Sequence, residues 1–202
     1  ANPWSDIPLA EVLLIAGSNC AETFPVLNKF LWQQRDNGGR WIIVDPRETP
    51  TARQGDLHLQ LRPGTDVALF HAMLHVMLWE DLLDRAYIDA HVEGFEELRA
   101  AVRDWTPQAA AETCGLKAED IVTAARWFAR SPATLSLYCQ GLNQSASGTA
   151  KNAALINLHL ATGQIGRPGA GPFSLTGQPN AMGGREVGGM ANLLSAHRDL
   201  AD

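Results

Sequence analysis

Val12-Leu13-Leu14-Ile15-Ala16-Gly17-Ser18-Asn19 opens as an uninterrupted apolar run and ends in a small polar turn. A strand with one wet face alternates apolar and polar residues. A strand covered on both faces does not, so this run predicts a central strand of a parallel sheet with helices on either side. The unit repeats downstream. Phe24 to Gln34 reads as a helix, with Pro25 in its first turn, where the missing N–H costs nothing, and Asn37-Gly38-Gly39 stops it. Trp41-Ile42-Ile43-Val44-Asp45 is a second buried strand, ended by Pro46. Leu57, Leu59 and Leu61 alternate with His58, Gln60 and Arg62, which predicts a third, half-exposed strand. Pro63-Gly64 turns the chain, and Thr65 or Asp66 caps a helix to about Glu80 whose residues Val67, Phe70, Leu74 and Met77 keep helical spacing. Strands alternating with helices in this way predict an α/β fold with a parallel sheet.

Further helices are expected at Leu82 to Ala90, Glu96 to Trp105, Pro107 to Thr113 and Ala118 to Ala129, punctuated by Gly94, Thr106 and Gly115. The composition changes after Ser131-Pro132, which marks a division into segments 1–131 and 132–202, the second the start of another α/β domain. In that second segment Thr134 to Cys139 reads as a strand, Gly141 to Gly148 as a polar turn and Thr149 to Thr162 as a long helix. From Gly163 the periodicity is lost, and half of the chain's 18 glycines fall between Gly163 and Gly189, so this stretch is expected to be a loop.

Bulk composition removes several classes of function. With 16 Lys and Arg against 22 Asp and Glu, the net charge of -6 offers no field for a nucleic-acid backbone. The apolar runs, such as Ala153 to Ala161, are far shorter than a bilayer requires, so no membrane partner is expected. Cys20, Cys114 and Cys139 are too scattered for a metal-ligand pattern, and they read as reduced, buried thiols of a cytoplasmic protein.

Chemistry is expected where strands end, because ligands of parallel sheets collect at the carboxyl ends and free N–H groups there suit phosphates. The turn Gly17, Ser18, Asn19, Cys20, Ala21, Glu22, Thr23 is the first candidate, although it lacks the three-glycine dinucleotide fingerprint and reads equally as an ordinary capped turn. Asp45, followed by Pro46, Arg47, Glu48 and Thr49, is the second: an acceptor-only group there takes hydrogen bonds from ribose hydroxyls or a guanine edge, and otherwise makes an Asp-Pro turn. Asp66 has the same two readings, helix cap or guanine-binding carboxylate. His71 and His75 stand four apart on one helix, but Ala72 breaks the metalloprotease pattern, so they read as helix residues and no metal site is expected.

Taken together these segments resemble a known family. Gly17-Ser18-Asn19-Cys20-Ala21-Glu22 resembles the turn after the first strand of the third domain in the dimethyl sulfoxide reductase superfamily of molybdopterin enzymes. Val44-Asp45-Pro46-Arg47-Glu48-Thr49-Pro50-Thr51-Ala52 and Leu61-Arg62-Pro63-Gly64-Thr65-Asp66 resemble its next signatures. Gln140-Gly141-Leu142-Asn143-Gln144, Asn157-Leu158 and Thr162-Gly163-Gln164-Ile165-Gly166-Arg167-Pro168-Gly169 resemble the ones that follow, in the same order along nearly the whole chain. Leu175-Thr176-Gly177-Gln178-Pro179-Asn180-Ala181-Met182-Gly183-Gly184-Arg185-Glu186-Val187-Gly188-Gly189 is similar to the nitrate reductase branch, and to the assimilatory cytoplasmic enzymes most closely.

The resemblance implies Rossmann-like domains that bind molybdenum-bis(molybdopterin guanine dinucleotide). It implies that Gly17, Ser18, Asn19, Ala21, Glu22 and Thr23 touch the pyrophosphate and pterin side. Asp45, Pro46, Arg47 and Thr49, with Gly64, Thr65 and Asp66, would hold the guanosine end, and Gln140, Gly141, Asn143 and Gln144 would meet the cofactor nearer the metal. Gln178 and Arg185 match positions lining a substrate funnel, where a guanidinium suits planar nitrate because it donates in a fork. The family's [4Fe–4S] cysteines and molybdenum-ligating cysteine have no counterpart here, so the chain is expected to be an inactive excerpt. Its partners would be the remainder of the same polypeptide and an electron-donor protein or domain. A formate dehydrogenase subunit, a metal-free structural homologue and a plain nucleotide-binding module are the alternatives.

Overall fold

The computed structural model describes residues 2–176 and residue 187. Five strands form one parallel sheet in the order β3-β2-β1-β4-β5: β1 (Val12–Ala16), β2 (Arg40–Val44), β3 (Leu57–Leu59), β4 (Thr134–Tyr138) and β5 (Gly171–Ser174). Every residue of β1 and β4 is buried, as the unbroken apolar run of β1 predicts. Alternate side chains of the strands serve two cores. Leu13, Ile15, Trp41, Ile43, Leu135 and Leu137 pack on one face with Leu27 and Leu31 of helix α2 (Pro25–Asp36). Val12, Leu14, Ala16, Ile42 and Val44 pack on the other, against α3 (Asp66–Trp79), α6 (Pro107–Cys114), α7 (Ala118–Arg130) and α9 (Gly148–Ala161). Burying a leucine or isoleucine of this kind contributes about 1.5–3 kcal/mol.

Helix α3 departs from the amphipathic pattern. Ten of its residues are buried, among them Ala68, Leu69, Phe70, Ala72, Met73, Leu74 and His75, because α6, α7 and α9 pack around it. His75 Nδ1 meets the Val102 carbonyl at 3.1 Å and its ring stacks on Trp79 at 4.1 Å, so the His71/His75 pair packs as helix residues. Between α3 and α6 lie α4 (Arg85–His91) and α5 (Phe95–Ala101), both shorter than the spans expected from sequence.

Two local expectations are corrected. Residues 140–143 form a single helical turn, α8 (Gln140–Asn143), where a polar turn was expected to run to Gly148. Gly171-Pro172-Phe173-Ser174, expected to be loop, pairs with β4 as an edge strand. Proline is tolerated at an edge, where an outward position has no partner to lose. The expected helix from Phe24 is present as α2, and one further helical turn, α1 (Cys20–Thr23), precedes it; a single turn adds little dipole to the loop after β1. Ser131, expected to divide the chain, lies between α7 and β4, and the sheet continues across it because β4 pairs with β1.

Candidate functional site

The chain leaves β1 toward β2 on one side, whereas β4 lies on its other side and leads outward to β5. The strand order therefore reverses between β1 and β4, and the two carboxyl-end loops diverge to leave a crevice. Gly17 follows β1 and Gly141 lies just beyond β4. The Gly141 N–H donates to the Gly17 carbonyl at 3.0 Å, and a Cβ built on either residue meets the other's Cα within 2.7 Å. Only glycines let the two loops touch in this way, and Gly17 also has a positive φ of 55°.

A groove of about 480 Å³ opens over this contact. It is lined by Gly17, Ser18, Asn19 and Thr23 after β1, by Asp45, Pro46 and Arg47 after β2, by Gly64 and Asp66 beyond β3, and by Gln140 and Gly141 after β4. Turns distant in sequence thus share one rim. That volume suits a nucleotide-sized ligand. The N–H groups of Ser18 and Asn19 have no hydrogen-bond acceptor among the described residues, which leaves two donors beside the switch point.

Several candidate side chains are spent on the scaffold, whether or not they line the groove. Asn19 spends its side chain on the scaffold: its Oδ1 accepts from Thr51 Oγ1 at 2.9 Å and its Nδ2 donates to Glu22 at 2.5 Å. The Ala21 N–H donates to Thr51 Oγ1 at 3.0 Å, which ties the first turn to the second. Thr23 Oγ1 donates to the Asn19 carbonyl, and buried Thr49 accepts from the Ala52 N–H. Thr65 Oγ1 donates to the Arg62 carbonyl, and Asn143 donates to Ser174. Gln144 is exposed beyond α8 and, like Ala21, Glu22, Thr49, Thr65 and Asn143, does not line the groove. Gln178 and Arg185 lie outside the described residues.

Two carboxylates define the chemistry of the groove. Asp45 is 5% exposed; its Oδ1 accepts the Arg47 N–H at 2.8 Å, and Arg47 itself reaches out beside it. The Asp45 carbonyl faces His58 Nε2 at 2.9 Å, so that nitrogen carries the hydrogen. Asp66 is the first residue of α3, one past the N-cap Thr65, so it does not occupy the cap position of its default reading. It forms a buried ion pair instead, 2.7 Å from Lys151 Nζ in the first turn of α9. Lys151, Cys139 and Phe24 also line the groove and were not among the sequence candidates. Nothing local distinguishes Lys151 from any helix lysine. Burial pushes the Cys139 thiol up, and that of Cys20 to about 11, so both remain protonated near neutrality. No cluster of three His, Cys, Asp or Glu side chains suited to a metal occurs among the described residues, and no described helix is long and apolar enough to cross a membrane.

A family model described as molybdopterin oxidoreductase matches residues 1–200. The chain is 42% identical over 199 residues to a nitrate reductase of Synechocystis, covering 98% of this chain and 28% of that protein. It is 36% identical over 201 residues to the F420-dependent formate dehydrogenase subunit alpha of Methanocaldococcus jannaschii, covering 100% of this chain and 30% of that one. Among solved structures, acetylene hydratase from Pelobacter acetylenicus aligns with a TM-score of 0.73 and 28% identity, over 83% of this chain and 25% of that one. The chain thus spans under a third of the length of these relatives.

Proposed function

Because this chain belongs to the molybdopterin oxidoreductase family, we propose that it forms the nucleotide-binding wall of a molybdenum-bis(molybdopterin guanine dinucleotide) site in a cytoplasmic nitrate reductase. The observation that carries this reading is the convergence of four strand-end turns on one groove holding two buried carboxylates. The residues fit the nucleotide end of such a cofactor. Asp45 and Asp66 only accept hydrogen bonds when ionised, and ribose hydroxyls and the N1–H and N2–H₂ of guanine each offer a donor. The Ser18 and Asn19 N–H groups, without acceptors among the described residues, suit pyrophosphate oxygens.

The bound group supplies oxygen-atom transfer, by which nitrate takes up two electrons and two protons and leaves as nitrite and water. The chain's own part is positioning. Gly17 and Gly141 keep the groove floor low, Asn19 and Thr51 lock the first two turns together, and Asp66 sits at the opening of α3. Gln140 and Gln144 would meet the cofactor nearer the metal. Gln178 and Arg185 would line the funnel that admits nitrate, and Arg185→Ala should raise the nitrate KM about tenfold or more through loss of a charged hydrogen bond. The reading places the chain within a larger polypeptide that carries the [4Fe–4S] cluster and receives electrons from a donor protein or domain.

The test uses that whole polypeptide. Acid release of its nucleotide should give GMP, metal analysis should find molybdenum, and reduced viologen should drive nitrate reduction. Release of CMP, or absence of molybdenum, sinks the cofactor reading. The likeness to a formate dehydrogenase subunit favours one second reading, formate oxidation. Turnover with formate and none with nitrate would establish it instead.

A further inference from the structure

We infer that Lys151 reads the base of the bound nucleotide, donating to the O6 of guanine while Asp66 accepts from the neighbouring N1–H. The inference rests on the guanine nucleotide reading above and adds a residue that no motif marks. Lys151 is 5% exposed, lines the groove, and stands 2.7 Å from the Asp66 carboxylate. That carboxylate is the ammonium's only side-chain partner among the described residues. An ammonium carries three donors, and burying one with a single partner is costly unless something else supplies acceptors. Little solvent reaches the side chain, which is only 6% exposed, so the acceptors must come from what occupies the groove.

The chemistry of the pair then selects the occupant. A carboxylate accepts and an ammonium donates, and here the two stand side by side. Guanine presents the complementary pattern on adjacent atoms of one edge: a donor at N1 and an acceptor at O6. Adenine reverses it, placing an N6 amino donor opposite Lys151 and a bare N1 acceptor opposite Asp66. Cytosine likewise sets its N4 amino donor against the lysine. Each mismatch sets a donor against the ammonium or a bare acceptor against the carboxylate, so the base loses hydrogen bonds to charged groups and meets like polarity instead.

The experiment uses the whole polypeptide prepared without cofactor, titrated with GDP, ADP, CDP and 6-thio-GDP in a calorimeter. In 6-thio-GDP a sulfur, a poor acceptor, replaces O6, while N1–H and the amino group remain. The unmodified protein should bind GDP about tenfold or more tightly than 6-thio-GDP, the effect of one hydrogen bond to a charged donor. Lys151→Met should abolish that difference, and Lys151→Arg should restore part of it. Equal binding of GDP and 6-thio-GDP by the unmodified protein overturns the inference, and that comparison needs no variant to fold. A Lys151→Met variant that weakens GDP, ADP and CDP alike also overturns it, because the lysine then serves the phosphates. No preference of the unmodified protein for GDP over ADP and CDP would instead remove the guanine reading itself.

Discussion

Gly17 and Gly141 meet back to back at the point where the strand order reverses, joined by a 3.0 Å hydrogen bond from the Gly141 N–H to the Gly17 carbonyl. The contact closes the floor of the groove between the loops after β1 and β4, and it leaves no room for a side chain on either residue. Gly64 provides the comparison. Its φ of 88° is as unsuited to an L side chain, but no atom lies within 4 Å of the position its Cβ would take.

Gly64→Ala should therefore cost only backbone strain, about 1–2 kcal/mol. Gly17→Ala adds a collision with backbone atoms at 2.7 Å, which should bring a further 1–3 kcal/mol or so of overpacking. Urea denaturation of the two variants beside the parent measures the difference. If Gly17→Ala is no more harmful than Gly64→Ala, the two loops do not share the contact described.

The Lys151–Asp66 pair invites a double-mutant cycle. Removing one member leaves the other as a buried charge, so Lys151→Met and Asp66→Asn should each destabilise the protein. The double variant should recover part of the loss, with a coupling of about 1–3 kcal/mol. Additive losses in thermal denaturation would mean that the 2.7 Å pair carries no energy of its own.

The three successive strand-turn units were legible because each is written locally. Val12 to Ala16 is apolar throughout, Gly17 and Pro46 end or follow their strands by their own backbone chemistry, and Pro63-Gly64 turns the chain into α3, although β3 itself stops earlier, at Leu59. Given those turns, Asp45 and Asp66 could be named as candidates from position alone. What stayed illegible depends on tertiary partners. β5 contains Gly171 and Pro172, residues poor in strands, and forms because β4 offers it an open edge. Lys151 lies far along the chain from Asp66, and only the packing of α9 against α3 brings the two together. The side chain of Asn19, which sequence offered to a ligand, turns instead to Thr51 for the same reason.

Gln34 is a second residue whose role emerges only in three dimensions. Fully buried at the end of α2, it donates to the carbonyls of Ala10 and Glu11 at 3.0 and 3.2 Å and accepts from Trp41 Nε1 at 2.7 Å. Its side chain crosses the place where a Cβ on Gly39 would stand. Gln34→Met conserves volume but leaves buried polar groups without partners, so a loss of about 2–4 kcal/mol is expected. Gly39→Ala should destabilise by displacing the same side chain, and the double variant should cost less than the sum. Strict additivity in Tm would show that the two residues act separately.

His159 gives the fold a dependence on pH. It is fully buried on the face of α9 toward β4, with Nδ1 3.1 Å from the Gln164 carbonyl and Nε2 2.7 Å from Ser136 Oγ. A carbonyl only accepts, so Nδ1 carries the hydrogen and Nε2 accepts from the serine hydroxyl. Burial drives its pKa from 6.5 down to about 3. Between those values the unfolded chain binds a proton that the folded one refuses, so the stability contribution is complete above pH 6.5 and is lost as pH falls toward 3. Within that window the loss should be about 1.4 kcal/mol per pH unit. His159→Gln keeps hydrogen-bonding capacity without titrating, so its stability should fall less steeply than the parent's between pH 6 and 4. Denaturant midpoints measured across that range should show the two curves converging as pH drops. Parallel curves would mean that the imidazole takes up its proton in the folded protein.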